Sequence, residues 1–242
     1  MSSIENELSH YDQLLQGFLN KGYEFGFFGD DVAERGEIIL RHDIDFSTAY
    51  ALEAAEMEAE LGIKSTYFFL LKSPFYNVLV PETFEQIVKI RDLGHTIGIH
   101  FDPVLYSDAH QGLADEIGFF QNLFGESVDI ISLHRPSEIF LGNNDQICGV
   151  DHTYMPKYFN DLKYFADSSG KWRYGHPFDS AEFNNLDSLQ ILIHPIWWFI
   201  SGGSNFDKIQ KHYEDCVSQL RADFEQNSKP FREIKHLITS KY

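Results

Sequence analysis

The sequence predicts an α/β protein with about seven parallel strands. They wind either into a (β/α) barrel or into an open sheet covered on both faces. Three observations carry this. Short apolar runs alternate with amphipathic helical patterns along the 242 residues. The runs are apolar throughout, as in strands buried on both faces, rather than alternating with polar residues. The length suits one large domain with a substantial core.

The first run, 38–41, climbs through Ile38, Ile39 and Leu40, then breaks into Arg41, His42, Asp43 and Asp45. In "STAYALEAAEMEAELG", Ser47 is placed to cap a helix that Gly62 closes. A second run spans 66–71. "PETFEQIVKIRDLG" opens on Pro81 and stops at Gly94, the asymmetry expected of helix ends. A third run, 96–99, precedes "AHQGLADEIGFFQNLFG", a helix ending at Gly125. Runs at 128–133, 164–166 and 189–193 follow, with a weaker candidate at 149–154. Near the C-terminus Ile209, Tyr213, Cys216, Leu220 and Phe224 recur at helical spacing.

Hydrophobic residues make up 43% of the chain and aromatics 15%, a globular composition. Nineteen Lys and Arg against 37 Asp and Glu give a net charge of −18, which opposes a nucleic-acid partner. A small anionic substrate stays open, because a local site can oppose the global field. The N-terminus lacks the basic and apolar regions of a secretory signal, and no apolar run approaches ~18 residues. A cytoplasmic location is therefore expected. The two cysteines, Cys148 and Cys216, form no C-x-x-C and indicate neither a disulfide framework nor a thiolate metal site.

The polar residues gather at strand ends. Asp43 and Asp45 lie two apart and so face one side of their strand. "HTIGIHFDP" ends in His100 and Asp102, "IISLHRP" in His134 and Arg135, "KYFADSSGKW" in Asp167, and "QILIHPIWW" in His194. Each has an ordinary structural reading: Asp167 as a turn former or helix cap, Arg135 as a bridge between loops. His95, His110, His152 and His176 are read as structural histidines. Five runs ending alike, however, are what a metal or acid–base site needs in a parallel α/β fold, where ligands bind at the carboxyl ends of strands. Imidazole and carboxylate donors suit zinc, and also iron, cobalt or nickel. No phosphate-binding glycine loop and no G-x-S-x-G elbow is present. "DIDFS" has the aspartate-x-aspartate start of a haloacid-dehalogenase-type phosphatase. The adjacent acidic pair Asp30 and Asp31 precedes it, however, instead of closing a later strand.

Taken in order, "LRHDID" (40–45), "GHTIGIH" (94–100), "HRP" (134–136), "ADSSGKW" (166–172) and "LIH" (192–194) resemble the five motifs of the polysaccharide deacetylase family, carbohydrate esterase family 4. The likeness is closest to members with an LRHDVD-type opening, and it covers residues 38–198. The resemblance implies a distorted (β/α) barrel of about seven parallel strands. It would be a single domain over 1–242, with 1–35 as an N-terminal helical extension. It also implies a divalent metal, Zn²⁺ first and Fe²⁺, Co²⁺ or Ni²⁺ as alternatives.

Carried over residue by residue, Asp45 and His100 become metal ligands, Asp43 the general base and His194 the general acid. Family order alone assigns Asp43 and Asp45; the sequence permits the reverse. Arg135 is expected to pair with Asp43. The family places a second histidine four residues after the first, where this chain has Val104. His134 is expected as third ligand, with Asp102 next in line. Asp102, Asp167, Trp172 and Trp197 are expected to contact substrate, with Trp198 beside them, although packing explains the tryptophans equally well. The implied activity is hydrolysis of an N-acyl group, acetyl first, from an amino sugar, a sugar nucleotide or a related small amide. The rival reading is an inactive barrel that binds a glycan or a protein partner.

Overall fold

In the computed structural model, residues 8, 10–29, 35–136 and 140–238 are described. They fall into two units, 1–199 and 200–242. Strand β2 (Glu37–Ile44) is the spine of the first. Its residues alternate between two buried faces, which is why it reads as continuously apolar at its start. Leu40, His42 and Ile44 face outward. Ile39, Arg41 and Asp43 face inward, with Asp45 just beyond the strand.

Among the described residues, the pairings between the named strands are parallel. β3 (Thr66–Phe69), β4 (Thr96–Phe101), β5 (Ile130–Leu133) and β6 (Asp151–His152) lie in order on one side of β2. β8 (Leu189–Ile193) and then β7 (Lys163–Ala166) lie on the other. These seven strands curl into a half-barrel, the distorted (β/α) barrel that the resemblance implied, not the open sheet. The weak candidate at 149–154 is β6, held to β5 by two register pairs. An eighth strand, β1 (Glu24–Gly26), pairs with the start of β2 below β3. Three residues ending on a glycine gave no periodic signal to find it by.

The helices stop where their end residues require. α2 (Thr48–Glu60) is capped by the Ser47 hydroxyl, which accepts from the Tyr50 N–H, and Gly62 follows at φ 70°. α3 (Pro81–Asp92) begins on its proline. α4 (Ala109–Phe124) is capped by Asp108 and ends at Gly125, whose φ of 74° suits glycine. α1 (Tyr11–Lys21) is the described helix of the expected 1–35 extension. Asp30 and Asp31 lie outside the described residues. α5 (Pro156–Phe159), α6 (Ala181–Asn185) and α7 (Ile196–Phe199) are short.

The barrel interior changes character from bottom to top. At the bottom Ile39 packs with Met155, Tyr158 and Leu162 in an apolar plug. One step up β2 sits Arg41, fully buried, beside Gln190 of β8. One step further Asp43 opens onto a cavity at the strands' carboxyl ends.

The second unit holds α8 (Asn205–Asn227) and α9 (Lys229–Ile234). The Phe231 ring rests on Phe224 at 5.3 Å between centroids, and Lys235 pairs with Glu225 at 2.7 Å. Among the described residues no helix is long and apolar enough to cross a membrane.

Candidate active site at the barrel mouth

Three side chains converge at the mouth from three separate segments. β2 delivers Asp45, β4 delivers His100, and the ladder carries one residue beyond β5 to deliver His134, whose N–H donates to the Phe101 carbonyl at 2.8 Å. The Asp45 Oδ1 lies 3.2 Å from His100 Nε2 and 3.3 Å from His134 Nδ1, and the two nitrogens are 3.1 Å apart. Three lone-pair atoms in so small a triangle match one face of a tetrahedral zinc shell, whose donors sit about 3.4 Å apart at bond lengths near 2.1 Å. The Asp45 Oδ1 is buried without a hydrogen-bond partner, an atom that a cation would satisfy. His100 places its Nδ1 3.3 Å from the Ser132 carbonyl, which fixes that nitrogen as a donor and leaves Nε2 as the ligand atom. The residues therefore fit a divalent metal. Burial opposes ionisation of Asp45, but the adjoining imidazoles of His100 and His134 hold its carboxyl well below the usual range. The nearby Asp45 carboxylate in turn raises His134.

Asp102 takes no part in this group. It caps a 3-10 turn over Pro103–Leu105, accepting from the Val104 N–H at 3.2 Å. That turn sends Val104 out to solvent, 66% exposed, so the family's second histidine position points away from the site.

The base-side pairing differs from expectation. Arg135 does not reach Asp43; it forms a salt bridge with Asp102. The residue adopts φ 55°, a left-handed backbone that swings its guanidinium off the strand line. Asp43 is held from below by Arg41, whose Nη2 donates to Asp43 Oδ2 at 3.1 Å. Arg41 also donates to Gln190 Oε1 at 3.1 Å and to the Tyr154 hydroxyl at 3.0 Å, and lies 4.8 Å over the Tyr154 ring. Burial works against the guanidinium charge, but Asp43 and Tyr154 keep it protonated. Burial likewise works against the Asp43 carboxylate, and Arg41, His100 and His194 outweigh it, so Asp43 stays ionised. Its Oδ1 is buried and unpartnered.

On the opposite wall stands His194, with Nε2 3.9 Å from Asp45 Oδ2. Asp167 lies behind it, fully buried, and does not line the cavity. Its Oδ1 is 2.6 Å from His194 Nδ1, its two oxygens accept from the His194 backbone N–H, and Oδ2 accepts from Trp198 Nε1 at 2.8 Å. Burial disfavours the imidazolium, but the Asp167 carboxylate prevails and His194 is pushed up to about 9. It is a proton donor at neutral pH.

Asp43, Asp45, His100, His134 and His194 line one cavity of about 560 Å³. Arg135, Trp197, Tyr164, Tyr174 and Arg173 form its outer wall. Asp102 and Trp172 do not line it. Trp172 packs edge-on against His176 and Trp198. Arg173 has no carboxylate partner among the described residues; its guanidinium lies 5.5 Å from the Tyr174 ring centroid. Sequence reasoning passed over Arg41, Gln190, Tyr154 and Arg173. The first two carried a signal, since Arg41 is in phase with Asp43 and Gln190 with His194.

No protein-family model matches the chain, and no curated protein matches it. Solved structures do. Peptidoglycan deacetylase PdaC from Bacillus subtilis is 17% identical over 83% of this chain and 94% of its own, with a TM-score of 0.44. A family 4 carbohydrate esterase from Bacillus anthracis is 16% identical over 86% of each chain, TM-score 0.44. A family 4 acetyl xylan esterase from Clostridium thermocellum, in complex with a cobalt ion, is 14% identical over 77% of this chain and 84% of its own, TM-score 0.38.

Proposed function

We propose that this protein is a metal-dependent amidohydrolase that removes an N-acyl group, acetyl first, from an amino sugar or a closely related small amide. One observation carries the reading. Asp45, His100 and His134 form a metal-ligand triangle between an ionised carboxylate, Asp43, and a protonated imidazole, His194, at the head of one cavity. The N₂O donor set suits Zn²⁺, and Fe²⁺, Co²⁺ and Ni²⁺ share it. When bound, such an ion supplies Lewis acidity toward the amide carbonyl and the attacking water.

The chain's own residues do the rest. Asp43 takes the proton from the water; Arg41 fixes the carboxylate's position and keeps it ionised. His194 gives its proton to the leaving amine while Asp167 orients the imidazole; solvent in the cavity then reprotonates His194 and takes up the proton that Asp43 accepted. Trp197 and Tyr174 offer faces for a sugar ring. Arg173, a cation with no protein counter-charge among the described residues, suits an anionic substituent. This favours a phosphorylated amino sugar such as a sugar nucleotide over a neutral polymer.

Metal analysis and an acetate-release assay test the reading together. Purified protein is expected to carry about one equivalent of transition metal. Asp45→Ala and His100→Ala should lose it with the fold intact, and His134→Ala should lose more than Asp102→Ala. A wild type that binds no added zinc and releases no acyl group from N-acylated amino sugars would leave the binding-barrel reading in its place.

A further inference from the structure

α8 carries an apolar stripe that is largely exposed within its own unit, with Phe224 at one end resting against Phe231 of α9. Phe206 is 81% exposed, Tyr213 52%, Leu220 57% and Phe224 50%, with Ile209 and Val217 exposed between them. The spacings are three, four, four, three and four residues, so all six lie on one side of the helix. Lys208 is the buried residue of this 23-residue helix. Isolated helices are marginal in water and draw their stability from a packed face. A continuous seam of this kind marks an interaction surface.

Its form selects the occupant. A straight seam at helical spacing calls for another helix. The remaining surface carries Asp207, Glu214, Asp215, Asp223 and Glu225 against Lys211 and Arg221, an acidic balance that opposes an anionic lipid surface. The stripe also reads nearly the same in both directions. Aromatic Phe206 and Phe224 stand at the ends, branched aliphatic Ile209 and Leu220 inside them, Tyr213 and Val217 about the centre. We propose that this stripe is the interface for a second copy of the chain. The two helices pack antiparallel about a two-fold axis near Asp215. Phe206 then faces the partner's Phe224, Ile209 the partner's Leu220, and Tyr213 the partner's Val217. Such isologous pairing is the commonest oligomer symmetry. The six side chains expose roughly 600 Å² per copy, so pairing buries about 1,200 Å², the lower range of stable specific interfaces. Asp215 lies on the far side of the helix, and Cys216, half-buried at the stripe's edge, comes close to its own symmetry mate.

Sedimentation of the full chain tests this independently of any catalytic activity. The wild type is expected at twice the chain mass. Leu220→Asp and Ile209→Asp should each shift it to the monomer with unchanged circular dichroism, and Ala222→Asp on the opposite side should leave it dimeric. In a Cys148→Ser background a short bis-maleimide should link two chains through Cys216, and Cys216→Ser should abolish the link. With both native cysteines replaced, mixing Phe206→Cys with Phe224→Cys chains should cross-link, and Phe206→Cys alone should not. A monomeric wild type, a dimer indifferent to both aspartate substitutions, or self-linking of Phe206→Cys would overturn the proposal.

Discussion

The two faces of β2 each carry a buried cluster of carboxylates, imidazoles and tyrosines, and only one of them has the form of a reaction site. On the inner face Asp43 and Asp45 meet Arg41, His100, His134 and His194. On the outer face His42 meets Glu58 of α2 at 2.7 Å. Glu58, with no exposed surface, also accepts from Tyr11, from Ser65 at 2.6 Å and from Tyr67 at 2.9 Å. His95 closes that cluster through Ser65 at 2.9 Å and the Ala55 carbonyl at 3.0 Å. Residue types are therefore a poor guide. The outer carboxylate has both oxygens satisfied and no path to solvent. The inner carboxylates each keep an unpartnered oxygen and open on a cavity. Unmet bonding capacity beside an open space separates chemistry from scaffolding.

Substitutions on the two faces should split along that line. The largest effect is expected from Asp43→Asn, which removes the proposed base: kcat per folded molecule should fall by ~10²–10⁴-fold, beyond the loss of stability that comes from leaving the buried Arg41 guanidinium without its carboxylate. An Asp43→Asn variant of near-normal turnover would move the base to another group. Next comes Glu58→Ala, which leaves buried donors facing a void. Unfolding in denaturant should show a loss of roughly 3–5 kcal/mol, with kcat per folded molecule preserved. Burial raises the Glu58 carboxyl, but His42, His95 and Ser65 hold it below its ordinary 4.5. Its contribution to stability is thus complete above pH 4.5 and lost as pH falls through the lower folded value. Loss of turnover in the still-folded fraction would show that the outer cluster acts on the chemistry.

A smaller and graded effect is expected from pH. His194 titrates near 9, so turnover should decline on the alkaline side of that value by ~tenfold per unit, as the donor form disappears. Asp167→Asn should bring that limb to lower pH, since the carboxylate is what raises the imidazole. A limb that stays in place would assign it to another group. The smallest effect is Tyr67→Phe, one of several donors to Glu58, at about 1 kcal/mol of stability and no change in rate.

Much of this contrast was legible in the sequence. Two-residue periodicity put Asp43 and Asp45 on one side, and strand ends located His100, His134 and His194. The choice of His134 over Asp102 followed from strand direction, because a ladder extends straight while Pro103 turns the chain. What escaped was partnership. Arg41 looked like one more polar residue, and a strand pattern does not say that a guanidinium can be sealed inside a barrel by Gln190 and Tyr154 from distant strands. Arg135 was read by family order, and its left-handed backbone has no sequence signal in a non-glycine residue. Asp167 and Trp172 were assigned to the substrate because they belong to a motif. Neither lines the cavity, because both lie below it, and periodicity does not measure depth.

The position of β2 between β3 and β8 has a consequence for how the protein is made. β3 leaves the ribosome soon after β2, but β8 follows about 150 residues later. Until then the other edge of β2 is open, Arg41 lacks Gln190 and Asp43 lacks the wall that carries His194. Parallel pairing over such separations is slow, and an exposed edge of Ile38, Ile39 and Leu40 is prone to join other chains. Newly synthesised chains stalled before β8 should therefore depend on chaperones, and Asp43 meets the wall that carries His194 only after β8 has been made.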